Sequence, residues 1–559
     1  MKKLFAVLII LYLVAYIIPL GMRPLIVPDE TRYSEISREM ISSGNWTSPR
    51  LNGMVYFEKP VMGYWLNALS MLAFGENEFA ARFPTALAAG ISAILVFLLA
   101  RLYTGNPLIA ISASAIYLSF IMVFLTGIFN VLDSMFSCAV CAALFFFFRA
   151  YIEKVVRVKV FFLIFAGASA GAAFLIKGPL GFLLPAIVIA PFLLWEKKWK
   201  ELLILPWLPA LAALAVAAPW AIAVHYKEPD FWSYFLWVEH FQRYLKAGEY
   251  QHSKPFAYFI PLILGGALPW TFLAPAAFSN FGKNILKNKV VRYCVCWILI
   301  PFCFFSLSSG KLATYILPCF PPLAVLTATG LWSYFGRNPE SKRKLFNCPA
   351  LSLSIIFGAA ALLFTVNQLT GFPQTLFRDT ESWKWPLVTI AAASWAFFLY
   401  SSVRSTRTEL KIFYFAIAPL TFMIISHLVF PDRAAENKAP GAFLIAHKDK
   451  VAPETIIVTY KNVTRAACWY YKRNDCFIFM EPGEFEYPLS RPENEGRFIK
   501  KVSDLNNFIK LHSKKQPVML VMRTKIYRED CEGNIPPPDF IEKKGEFTIA
   551  FYKLKSPQN

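Results

Sequence analysis

Six short groups of ionisable residues stand where charge is costly, at the edges of long apolar runs. Two lie early, Pro28-Asp29-Glu30-Thr31-Arg32-Tyr33 and Tyr56-Phe57-Glu58-Lys59-Pro60. Asp133 sits inside the apolar run Val131 to Val140, and Lys177-Gly178-Pro179 is wedged between two more. Trp237 to Tyr244 carries Glu239, His240 and Arg243, with His252 and Lys254 beyond it, and Gly310-Lys311-Leu312-Ala313-Thr314-Tyr315 is the last. Ionisable residues in or beside membrane-spanning segments are functional-site candidates by default. Carboxylates among a surplus of cations suit transfer of a group from a phosphate donor. The cations neutralise the departing phosphate, and a carboxylate orients the acceptor or stabilises a developing oxocarbenium. Each group also has a plainer explanation. Asp29 and Asp133 fit helix N-termini, Lys177 can snorkel to the surface, and loop charges can simply be solvated.

Composition sets the elements that must position these groups. Of 559 residues, 56% are apolar or aromatic and 17% are charged, against about 25% charged in an ordinary soluble domain. A spanning helix needs ~20 mostly apolar residues. Thirteen such runs begin near residues 4, 84, 108, 131, 160, 179, 203, 256, 291, 313, 349, 384 and 411. No small-x-small cleavage site follows the first, so it reads as a retained anchor. The run Val61 to Phe74 is too short to span and reads as re-entrant or interfacial, giving a second juxtamembrane helix at about 61–75. Tyr33, Ile36 and Met40 form an i, i+3, i+7 stripe ended by Gly44, which predicts an amphipathic helix over about 29–44 lying on the membrane.

Orientation follows from the short basic connections. Arg149 to Lys159, Lys197 to Lys200, Lys283 to Arg292, Arg337 to Lys344 and Arg404 to Lys411 occupy alternate loops and are poor in acids. This pattern puts the N-terminus in the cytoplasm, the tail outside, and all six groups on the outer face. The expectation is one outward polar cavity lined by Asp29, Arg32, Glu58, Lys59, Asp133, Lys177, His240, Arg243, Lys254, Lys311 and Tyr315. Its cations outnumber its acids, which suits an anionic ligand such as a lipid phosphate; no nucleic-acid partner is expected.

From residue 431 the material changes. The segment 431–559 holds 22 Lys and Arg and strand-like runs at Thr455 to Tyr460, Cys476 to Met480, Pro517 to Arg523 and Phe547 to Lys553. It predicts a small exported α/β domain, set apart from a transmembrane domain over 1–430 that includes both juxtamembrane helices. Cys468 and Cys476 can pair there, and unpaired buried thiols fit the sequence equally well.

The string Pro28-Asp29-Glu30-Thr31-Arg32-Tyr33-Ser34-Glu35-Ile36-Ser37-Arg38-Glu39-Met40 and then Tyr56-Phe57-Glu58-Lys59-Pro60 resemble the undecaprenyl-phosphate aminoarabinose transferases. Val238-Glu239-His240-Phe241-Gln242-Arg243, Leu268-Pro269-Trp270 and Gly310-Lys311-Leu312-Ala313-Thr314-Tyr315-Ile316-Leu317-Pro318 match the same family in the same order. The resemblance implies a polytopic α-helical protein of the C-type membrane glycosyltransferase architecture, related to protein O-mannosyltransferases. It implies transfer of 4-amino-4-deoxy-L-arabinose from undecaprenyl phosphate to lipid A at the periplasmic face of the inner membrane, and hence polymyxin resistance, by a monomer. Carried over by position, Asp29 and Asp133 become essential carboxylates. Lys59, which is also catalytic, and Arg32 become carrier-phosphate ligands; Lys311, Tyr315, Arg243 and Lys254 are the other candidates for that phosphate, with the choice between Arg243 and Lys254 open. The resemblance also implies that Glu58 and His240 can hold a divalent metal such as zinc; no other cofactor is expected. A transferase with another polyprenyl-phosphate sugar or acceptor shares nearly all these features. A lipid flippase is disfavoured, because the sequence shows neither an inverted repeat nor a broken helix pair at mid-membrane.

Overall fold

The computed structural model describes residues 2–242, 254–279, 285–338, 343–372 and 374–554, with the backbone alone for His240, Phe241 and Gln242. The chain divides into two compact units. One comprises Met1–Leu20, Glu58–Gly63 and Arg82–Val429; the other comprises Gly21–Phe57, Tyr64–Ala81 and Phe430–Asn559.

The first unit is helical. Among the described residues, ten helices are long and apolar enough to cross a membrane, and two bent pairs bring the number to twelve. The apolar helix Leu180–Trp195 is shorter. Each of the thirteen apolar runs therefore corresponds to one helix or one bent pair. The pairs Pro107–Ser119 with Ile121–Ile128, and Phe256–Gly266 with Trp270–Phe278, bend by 64° and 91°. Both were expected to be plain spans. The first break lies at Phe120, whose extended backbone (φ −66°, ψ 130°) stops one helix and starts the next without a Pro or Gly to announce it.

Leu132–Ile152 packs along Val156–Lys177, which packs in turn on Trp207–Lys227. A side chain at Gly171 would meet the Ala213 carbonyl oxygen at 2.6 Å, so glycine lets these backbones approach closely. Gly178 (φ +77°) ends the helix that carries Lys177 and turns the chain into Pro179 and Leu180–Trp195, which is why two helices follow each other with almost no loop.

The second unit is built on a six-stranded sheet. A separate hairpin precedes it, β1 (Arg50–Leu51) with β2 (Met54–Val55). The sheet strands are β3 (Ile456–Tyr460), β4 (Phe477–Phe479), β5 (Phe498–Ile499), β6 (Val518–Arg523), β7 (Phe540–Lys544) and β8 (Phe547–Tyr552), in the order β5-β4-β3-β6-β8-β7. The first four are parallel, and β8 runs antiparallel to both β6 and β7. Alternate residues of the central strands feed two cores. Ile457, Met519, Val521 and Ile549 pack with Ala467 and Trp469, and Val458, Leu520 and Met522 pack with Leu505 and Ile509. β7 reads Phe-Ile-Glu-Lys-Lys and is largely exposed; a charged edge discourages further pairing and also hides the strand from a hydropathy reading.

The first of these cores also contains Leu25, Val27, Met71, Ala80 and Ala81. The early segments are sewn to the late one: Val27 N donates to Lys438 O at 2.8 Å, and Asn52 exchanges hydrogen bonds with the backbone of Cys476 at 2.8 and 2.9 Å. The chain divides at Val429/Phe430, but residues 21–57 and 64–81, expected within the transmembrane domain, belong to the second unit. Helices form over Asp29–Ser43 and Met62–Phe74. The first buries both faces. Ile36 and Met40 are buried, and so are Glu30, Glu35, Arg38 and Glu39 on the side expected to face water. Arg38 pairs with Glu35 at 2.7 Å, so this polar side can pack on the helix Thr464–Tyr471. Burial raises the Glu35 carboxyl, and burial together with the Glu35 charge raises Glu39 well above the usual carboxylate range. The Cys468 and Cys476 sulfurs are 3.8 Å apart and unbridged.

Candidate active site

The first unit holds two acid–base couples, one of them at helix ends. Asp133 lies in the first turn of Leu132–Ile152 and Lys177 at the last residue of Val156–Lys177. The antiparallel pairing of these helices brings the two together at 2.5 Å, with side chains 16% and 9% exposed. The arrangement is favourable at both ends, since helix N-termini attract carboxylates and C-termini attract cations. Ser134 Oγ donates to Thr85 O at 2.9 Å and anchors the first turn beside Asp133. The Lys177 ammonium also lies over two rings, Tyr315 at 4.7 Å and Phe136 at 5.6 Å from the ring centres. Tyr315 rests in turn against Phe305.

The second couple joins Lys59 to Glu239, at 3.5 Å; Lys59 Nζ also donates to Glu58 O at 2.7 Å. Glu239 is buried on the winding Ser233–Gln242, and Lys59 lies on the short segment Glu58–Gly63 that this unit takes from the first loop. Gly63 of that segment abuts Leu132, the residue before Asp133. Lys311 is buried, with Nζ donating to the carbonyls of Ser308 and Lys254 (2.9 Å to the latter), and burial lowers its pKa. The Lys254 side chain is exposed.

In the second unit, Asp29 opens the helix Asp29–Ser43 with its side chain half exposed. Asp29 was equally explicable as a helix cap, but Pro28 takes the N-cap position and no side chain caps there. Glu30 is buried; it accepts from Ile26 N at 2.9 Å and from both Arg23 Nη atoms at 2.8 and 3.2 Å, which ties the preceding loop to the first helical turn. Arg32 spans two carboxylates, Asp29 at 3.3 Å and Glu484 at 2.7 Å.

Residues 1–235 match the family Dolichyl-phosphate-mannose-protein mannosyltransferase, and residues 435–551 match Arabinosyl transferase ArnT, C-terminal domain. The undecaprenyl phosphate-alpha-4-amino-4-deoxy-L-arabinose arabinosyl transferase of Shewanella sediminis is 36% identical over 544 residues, 97% of this chain and 96% of its own. That of Edwardsiella ictaluri is 36% identical over 99% of this chain and the whole of its own. The chain belongs to this arabinosyl transferase family. The crystal structure of ArnT from Cupriavidus metallidurans bound to undecaprenyl phosphate shares its fold, with a TM-score of 0.83, 23% identity and 99% of both chains covered.

Arabinosyl transferase residues expected from sequence fall into three groups. Asp133, Lys177 and Tyr315 are brought together, and Lys59 is set beside Glu239. Arg32 and Lys311 are engaged by protein groups, carboxylates for one and carbonyls for the other. The side chain of His240, and Arg243 and His252 altogether, lie outside the described residues. Among the described residues, no group of three or more His, Cys, Asp or Glu side chains could hold a metal, so Glu58 has no described set of companion ligands. Sequence reasoning missed Glu484 and Arg465, and named Glu239 without assigning it a partner. Glu239 stands beside His240 in the motif Val238 to Arg243. Glu484 and Arg465 sit in a segment rich in charge, where nothing sets them apart.

Proposed function

We propose that this chain transfers 4-amino-4-deoxy-L-arabinose from undecaprenyl phosphate to a phosphate of lipid A. The observation that carries this reading is the end-to-end match to the arabinosyl transferase family, 36% over 97% of the chain. The transfer is a single displacement. A lipid A phosphate oxygen attacks the anomeric carbon, the bond from that carbon to the carrier oxygen breaks, and undecaprenyl phosphate leaves with the electron pair. The attacking phosphate is ionised near neutral pH, so no strong base is needed. The obstacle is bringing two phosphates together, which costs ~1 kcal/mol per charge pair at 4 Å in water and more in a dry site.

Lys59, steadied by Glu239, stabilises the leaving phosphate. Asp133 and Lys177 form a fixed dipole beside Tyr315, whose hydroxyl is a further phosphate donor. Asp29, half exposed, orients the acceptor or holds the sugar's ammonium. Arg243 or Lys254 supplies a further cation to the carrier. Glu58 and His240 would be the protein donors to a divalent metal, which would supply a further positive charge, and the displacement does not require it. Metal analysis of protein purified without chelator, beside His240→Ala, tests that set; equal metal content in both removes it.

The alternate basic loops support a cytoplasmic N-terminus, with the site and the second unit in the periplasm of the inner membrane. Each transfer places an amine on an acidic headgroup and so weakens attraction for polymyxin and other cationic peptides. Expression in a transferase-null, polymyxin-sensitive bacterium tests the whole reading. Aminoarabinose-modified lipid A and restored resistance are expected; unmodified lipid A with another glycan or protein newly glycosylated overturns it.

A further inference from the structure

Four charges of the second unit form an unbroken alternating series. Asp29 lies 3.3 Å from Arg32 Nη1, and Arg32 Nε lies 2.7 Å from Glu484 Oε2. The other Glu484 oxygen pairs closely with Arg465 Nε, and Arg465 Nη1 donates to Asn462 Oδ1 at 3.2 Å. Exposure falls steadily along the series: the side chains are 51%, 16%, 5% and 4% exposed from Asp29 to Arg465. A buried and a partly buried arginine around one glutamate carry a net positive charge, and Asp29 supplies the opposite charge at the exposed end. Glu484 sits on the tight turn Gly483–Phe485 after β4, and Arg465 in the first turn of Thr464–Tyr471, so both are fixed by the sheet domain.

A guanidinium is a rigid planar fork, and an ion pair against its Nε edge restricts where its Nη atoms lie. We infer that Glu484, backed by Arg465, is a positioning residue for transfer: it holds Arg32 so that Arg32 orients the Asp29 carboxylate, which makes the C-terminal domain part of the catalytic apparatus. Arg32 is then an internal strut, and the carrier phosphate is bound by other cations. This inference rests on the reading of Asp29 as a catalytic carboxylate.

The test uses full-length protein in lipid vesicles, with initial rates of aminoarabinose transfer measured against donor concentration. Glu484→Gln keeps the shape and removes the charge. Its kcat should fall about tenfold or more, as small misplacements of a reacting group do, while KM for the lipid-linked donor stays within about twofold. Arg32→Lys keeps the positive charge beside Glu484 but loses the fork, and should show the same split with unchanged thermal unfolding. This second variant keeps the inference testable if Glu484→Gln folds poorly. Wild-type kcat in a folded Glu484→Gln protein overturns the inference, as does an Arg32→Lys protein whose KM rises while kcat holds, which would make Arg32 a direct carrier ligand. Asp29→Asn separates the layers. Full activity there sinks the reading of Asp29 and this inference with it; an inactive Asp29→Asn beside a fully active Glu484→Gln sinks this inference alone.

Discussion

The two units of this molecule hold their charges in different ways. In the helical unit the charges meet in separate two-residue couples: Asp133 with Lys177 at two helix ends one hairpin apart, and Lys59, in the segment Glu58–Gly63, with Glu239. In the sheet unit the series from Asp29 through Arg32 to Glu484 and Arg465 joins residues some 450 positions apart. In the helical unit each charge is matched by a single opposite charge that the packing of the unit brings beside it. In the sheet unit the charges are matched in series across segments that the fold brings together from distant parts of the chain.

The largest effects are expected at Asp29, the most exposed member of its series, and at Lys59. Asp29→Asn and Lys59→Ala should each abolish transfer while leaving expression and elution volume unchanged; wild-type transfer by either removes that residue from the chemistry. Lys177→Met should come next. It leaves Asp133 without its cation, and transfer should fall by about a hundredfold, with loss of stability because a poorly solvated carboxylate is stranded. Lipid A mass spectra and detergent melting curves report the two effects separately.

A smaller effect sharpens the contrast through pH. Glu39 is held well above the usual carboxylate range, by burial and by Glu35. The native chain therefore keeps a proton that the unfolded chain has released, so stability is highest below the ordinary glutamate range and declines as pH climbs toward the raised native value. Glu39→Gln, whose amide oxygen can still accept from Gly53 N, should flatten this decline and raise the unfolding midpoint more at pH 8 than at pH 5. An equal shift at both pH values would show that charge is not what Glu39 contributes. The smallest effect is expected at Lys461→Gln. It breaks an exposed pair with Glu481 in the same region as Glu484, worth about 0–1 kcal/mol, and transfer should be unchanged.

The charge couples of the helical unit were legible because hydropathy makes a lone Asp133 or Lys177 conspicuous. Their pairing was not, since the sequence shows two charges at run edges and not that the helices bring those edges together. The surplus of cations expected in one cavity is tempered in the same way: Lys59, Lys177 and Arg32 each face an acid, and Lys311 is turned onto carbonyls. For Asp29–Ser43 the period of the apolar stripe predicted the helix correctly. Its surroundings were misjudged, because a polar face looks solvent-exposed until Arg38 is seen paired with Glu35 inside the fold.

By itself the sequence determined the thirteen apolar runs, the break near residue 430, four of the six strands of the sheet and the family. These follow from composition, from local periodicity and from motifs a few residues long. Only the tertiary structure decided that residues 21–57 and 64–81 belong with the C-terminal segment, that two runs are bent pairs, and that Arg32 ends on Glu484. Those outcomes depend on which distant groups satisfy one another's charge and apolar surface, and that matching exists only once the chain has folded.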